Sequence, residues 1–151
     1  MNEVQTMRTL IAVSLLFVSL GWSASSDARD DRLQFPVSDV LNNEAWASDL
    51  EGVSFYFGEQ AHPPVVKTFG TDRTNKKTNA FNKSDEEACQ WVMLTALKQL
   101  KARADQLGAN AVINIISNYK NNQKSSETEY TCGAGSLMAG VALIGEFVVI
   151  E

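Results

Sequence analysis

Few residue types in this chain could do chemistry, and most of them occur once or twice. Cys89 and Cys132 are the only thiols and His62 is the only histidine. The two cysteines could be thiolate ligands, a nucleophile and its resolving partner, or a disulfide, and a bridged pair supplies neither ligand nor nucleophile. A histidine-based metal site or a Ser-His dyad would have to be built on His62 alone, which stands in a turn with Pro63 and Pro64 and has no second His or Cys beside it. It is read as an exposed loop histidine. Asp85, Glu86 and Glu87 could be taken for an acid/base set, but a helix start explains three acids through capping and the helix dipole. The glycine-rich stretch Gly133 to Gly140 invites a phosphate-loop reading, yet no Lys-Ser or Lys-Thr follows the glycines and no helix-forming segment comes after. A flexible or tightly bent link into the last strand fits better, with an oligomer or partner contact as the other reading. The basic run Arg73 to Lys83 is read as a solvated loop, with contact to anionic lipid or lipopolysaccharide as the alternative. No catalytic, metal-binding or cofactor-binding residue is therefore expected, and the chain is expected not to be an enzyme.

The whole-chain balance narrows the partners. A net charge of -5 over 151 residues, with a pI near 4.9, lacks the clustered Lys and Arg that displace counterions from nucleic acid, so nucleic acid is not expected as a partner. Arg8 precedes the apolar run Leu10 to Leu20, and small residues from Ser23 to Ala28 follow. A run of about eleven residues is short for a membrane span, and the small residues suit signal peptidase. Residues 1–26 are accordingly expected to be a signal peptide, cut between Ala24 and Arg29, with an uncleaved anchor as the alternative. No Cys lies near the cut, which excludes the usual lipoprotein anchor, and no transmembrane segment is expected in the mature chain. Export makes a Cys89–Cys132 disulfide the leading reading, with two buried free thiols as the alternative.

The elements that must position these residues follow from pattern. Residues 27–50 are expected to be a mobile lead-in with a short helix after Pro36, and residues 51–151 a single domain. Val53 to Phe57, between Gly52 and Gly58, has the composition of a strand and is expected to form a hairpin with Val65 to Thr71. Asp72 to Lys83 reads as an exposed connection. The helix signal over Asp85 to Leu107 is the clearest in the chain. Ser84 with Glu87 makes a capping box, Gly108 is a natural stop, and Cys89, Met93, Ala96, Leu97, Leu100, Ala104 and Leu107 form one apolar stripe. Cys89 on that stripe can reach a strand packed beneath the helix. Ala111 to Tyr119 is nearly continuous in apolar residues, as in a strand buried on both faces, and Glu127 to Cys132 and Val141 to Ile150 complete the strand candidates. The expectation is an α+β fold, a sheet of four to five strands packed on one long helix, closed by one disulfide.

The phrases Glu87-Ala88-Cys89-Gln90 and Leu107 to Ile115, with Thr74 to Ala80, Ser84 to Cys89 and the tail Ala139 to Val148, resemble a family of small exported bacterial proteins often labelled excinuclease ATPase subunits. That label would require Walker motifs and zinc-binding cysteine sets, which these residues do not carry, so it is read as a mislabel. The same helix-to-strand phrase, followed by a strand bearing a cysteine, is distantly similar to the periplasmic domain of the Rcs envelope-stress lipoprotein sensor and to small proteins once grouped as heavy-metal binders. The resemblance implies that Cys89 and Cys132 match two of the sensor's disulfide cysteines. The sensor's other two cysteines and its lipid-bearing cysteine have no counterpart, so neither a second bridge nor a lipid anchor carries over. The combined expectation is a periplasmic, non-catalytic binding or envelope-sensing module with an envelope protein as partner, with homo-oligomerisation left open. The alternatives are a DNA-repair excinuclease ATPase subunit, as the label implies, and an oligomer that binds a small ligand or metal.

Overall fold

The structure is a computed structural model that describes residues 28–151. The expected leader and its cleavage point lie outside these residues. In chain order the elements are β1 (Asp31–Pro36), α1 (Ser38–Leu41), a 3-10 turn (Glu44–Trp46), α2 (Ala47–Leu50), β2 (Ser54–Phe57), β3 (Val65–Asn79), α3 (Asp85–Leu107), β4 (Ala111–Tyr119), β5 (Asn122–Lys124), β6 (Glu129–Ala134) and β7 (Met138–Ile150).

The long helix has the ends its sequence predicts. Ser84 Oγ accepts the Glu87 amide at 3.0 Å, satisfying one of the orphan donors of the first turn. At the other end Gly108 turns left-handed at φ 76°, and the Ala109 amide closes on the Ala104 carbonyl at 2.9 Å, the outer bond of a Schellman stop. Between them α3 buries Cys89, Met93, Ala96, Leu97, Leu100 and Ala104, together with Ala88 and Val92. Leu107 is only half-buried.

β7 is the spine of the sheet. Along one edge it pairs with β3 for its whole length, from Asn79↔Met138 to Val65↔Ile150. Its other edge is shared: β6 takes the start, at Gly133↔Gly140 and Ala134↔Ala139, and β4 takes the rest, from Ser117↔Leu143 to Ala111↔Val148. β6 continues to β1, and β4 continues to β2 and β5. All pairings are antiparallel except β2 with β4. The sheet packs one face on α3, with Val112, Ile115, Val141, Leu143 and Phe147 in the main core. Ala111, Ile113, Val148 and Ile150 form a smaller cluster with Tyr56, and the left-handed residue Asn114, φ 50°, lies where the β4–β7 register shifts. β4 is thus buried on both faces, as its continuous apolar run implied.

Four expectations are corrected. The sheet has seven strands, not four to five. Asp31–Pro36, expected in the lead-in, is β1, whose alternating Leu33 and Phe35 pack against the core cluster. The hairpin of Val53–Phe57 with Val65–Thr71 does not form: β2 joins β4 in parallel and β3 joins β7. The basic segment expected as a connection continues β3 to Asn79. Among the described residues β3 has only β7 as a strand partner, so its other edge is open, and an edge strand exposed on that side keeps charged residues such as Lys67, Asp72, Arg73, Lys76 and Lys77 instead of an apolar run.

Cys89 and Cys132 are joined, with Cα atoms 5.9 Å apart and both residues fully buried. The bridge ties the first turns of α3 to β6.

Candidate functional site

The reactive side chains singled out by type do not converge. Both sulfurs are used in the bridge. His62 is half-buried, its ring edge-on to Tyr56 at 5.6 Å and its Nδ1 2.8 Å from the Pro63 carbonyl. Asp85 is held by Arg29 through two contacts of 3.0 and 2.5 Å, and Glu86 accepts from Gln90 at 3.2 Å. Among the described residues no group of three or more His, Cys, Asp or Glu could hold a metal ion. The Gly133 to Gly140 stretch is the end of β6, a tight turn closed by the Gly135 amide on the Met138 carbonyl at 2.9 Å, and the start of β7.

Those glycines serve a tyrosine. The Tyr119 ring lies against β6 and β7 so closely that a Cβ on Gly133 would sit 1.9 Å from its Cζ, and one on Gly140 would sit 3.2 Å from its Cε2. Its hydroxyl donates to Asp30 Oδ1 at 2.6 Å, and Lys120 pairs with the same carboxylate. Burial first, and then the bond to Asp30, push the Tyr119 phenol up to about 12. Lys120 and the Tyr119 hydroxyl hold Asp30 below the usual carboxylate range, and Arg29 does the same for Asp85. A cleft of about 440 Å³ opens here, lined among others by Ala28, Arg29, Lys77, Lys120, Leu137 and Met138.

The larger depression is at the far end of β7. It is an open groove of about 960 Å³, lined among others by Leu41, Leu50, Val53, Phe55, Asn110 and Ile150. Asn110 is fixed by a reciprocal pair with the Ile150 backbone, donating to its carbonyl at 3.0 Å and accepting from its amide at 2.8 Å. β2 forms the edge beside the groove and pairs only with β4 among the described strands. The Ser54 amide donates to the Asn110 carbonyl at 3.0 Å, so by strand alternation the Phe55 backbone faces the open side. The Gln60 side chain occupies the next outward amide, that of Phe57, at 2.9 Å. Val65 and Val66, exposed at 42% and 65%, begin β3 next to Ile150 at the same end.

Neither the groove nor the tyrosine slot was visible as a motif. The aromatic run Phe55-Tyr56-Phe57 identified a strand but not its place at an edge, and the spacing of Gly133 and Gly140 gave no sign that a ring from Tyr119 fills the gap between them. No family model, curated protein or solved structure matches the chain.

Proposed function

We propose that the chain is an exported, periplasmic, non-catalytic binding module that meets another envelope protein, and that an extended segment of that partner adds to the open edge of β2 over the adjoining groove. The observation that carries this reading is the juxtaposition of the outward-facing Phe55 backbone, which no other described strand pairs, with Val53, Phe55, Leu41 and Leu50 along the groove. Strand addition draws affinity from backbone hydrogen bonds and specificity from side-chain pockets beside the edge, and both are present there. The buried disulfide supports an oxidising compartment. The positions of the reactive groups support binding over chemistry: two sulfurs spent on a bridge, an aspartate held by Arg29, and a histidine packed on Tyr56.

A photo-crosslinking residue placed at exposed Ser54 in intact cells, with exposed Arg103 of α3 as the control site, tests the proposal. A discrete adduct with an envelope protein from Ser54 alone is expected. Equal labelling from both sites, or none from Ser54, contradicts it.

A further inference from the structure

We propose that the end of the domain made by the β3–α3 loop and the β6–β7 turn docks on an anionic phospholipid leaflet. Three large apolar side chains project there without cover from the described residues: Phe81, Leu137 and Met138 are 59%, 63% and 50% exposed. They come from two segments held together by backbone. The Ala80 amide donates to the Leu137 carbonyl at 2.8 Å, and Asn79 pairs with Met138. The patch is therefore preformed, and placing it at a lipid interface orders little further chain.

The charges around it fit a negative surface although the chain as a whole is acidic. Lys76 and Lys77 precede the patch on β3 and alternate to its two faces, and Lys83 follows it, its Nζ donating to the Asn79 carbonyl at 2.9 Å. None of these three lysines is in an ion pair among the described residues. The nearby acids are largely occupied, Asp30 by Lys120 and Asp31 and Asp85 by Arg29, which leaves Glu86 and Glu87 in the first turn of α3 to offset part of the attraction. Apolar side chains ringed by lysines are the pattern of an interfacial anchor, in which the rings and aliphatic groups enter the headgroup boundary and the cations meet lipid phosphates.

Ala28 and Arg29, the first described residues, line the same cleft as Leu137, Met138 and Lys77. The β2 groove lies at the opposite end of β7, roughly 40 Å away along an extended strand, so a lipid-bound molecule presents the groove outward.

The test is co-sedimentation of the mature, disulfide-bonded protein with vesicles of phosphatidylglycerol and phosphatidylethanolamine, against phosphatidylcholine alone. Binding to the anionic vesicles that weakens with salt is expected. The combined K76Q, K77Q and K83Q variant should lose about a hundredfold in partitioning at low salt, from three lysines at the surface. Phe81→Ser with Leu137→Ser should lose at least tenfold, while Val66→Ser at the other end should bind as the parent does. Leu137→Trp should show a blue-shifted emission on anionic vesicles. Melting curves identify any variant that has lost its fold. Absence of binding to anionic vesicles by the parent protein, or binding that the lysine and apolar variants leave unchanged, overturns the proposal. Capture of a protein by a crosslinker at Leu137, without vesicle binding, overturns it in favour of a protein partner.

Discussion

Reduction of the Cys89–Cys132 bridge should lower stability by an amount the structure sets. The two cysteines are 43 residues apart in sequence, and closing a loop of that length in the unfolded chain corresponds to about 4 kcal/mol on the chain-entropy account. A domain the size of the described region has an unfolding entropy of roughly 0.26 kcal/mol/K, so the melting temperature should fall by roughly 15 °C. Both residues are fully buried, so a reductant reaches the bond only when the helix end opens from β6. The comparison is therefore made on protein reduced in denaturant, refolded and kept reduced, followed by circular dichroism during heating. The C89A/C132A double variant should melt lower still, because truncating two buried side chains adds a cavity cost of about 1 kcal/mol or more. A reduced protein melting within about 3 °C of the oxidised one would refute the reasoning, since the loop constraint is then absent or offset by strain.

Three further outcomes follow from particular contacts. Tyr130 is fully buried and its hydroxyl has no hydrogen-bond partner among the described residues, so Tyr130→Phe should leave stability unchanged or raise it by about 1 kcal/mol in denaturant titration; a loss above that size would mean the hydroxyl is satisfied. Gly133→Ala should cost about 2 kcal/mol through the clash with Tyr119, and Tyr119→Ala in the same chain should recover part of that loss; additive losses in the double variant would count against the slot. Asp30 and Asp85 have lowered pKa values in the folded state, so their contribution is present above the unfolded value of about 4 and is lost as pH falls through the folded values; Tyr119 is raised to about 12, so stability falls as pH climbs from about 10 towards that value. Unfolding midpoints measured across pH should show both limbs, and Asp30→Asn with Asp85→Asn should flatten the acid one.

How much was legible in the sequence depended on whether an element carries its own signal. The ends of α3 were readable because Ser84 and Gly108 act within one turn of the backbone they satisfy, and the stripe from Cys89 to Ala104 repeats at helical spacing. β4 was readable because both of its faces are buried. β1 and the second half of β3 were not, since two apolar residues in Asp31–Pro36 and one buried threonine in a charged run resemble loop composition until the partner strand is known. The parallel pairing of β2 with β4 was hidden for the same reason: Pro63 and Pro64 suggested a short turn, while the partner lies beyond β3 and α3. The pairing of the cysteines was legible, because only two are present. The β2 groove was not, because an open edge is a property of the sheet order, which no residue in β2 encodes by itself.

The central claim is that the chain leaves the cytoplasm and that sulfur pins its long helix to β6. Intact mass spectrometry of the native protein, collected from cells quenched in a thiol-alkylating reagent, tests it most directly. The account predicts a mass lacking the leader, with cleavage between Ala24 and Arg29, and no alkyl group on either cysteine. A full-length mass carrying two alkyl groups would contradict it.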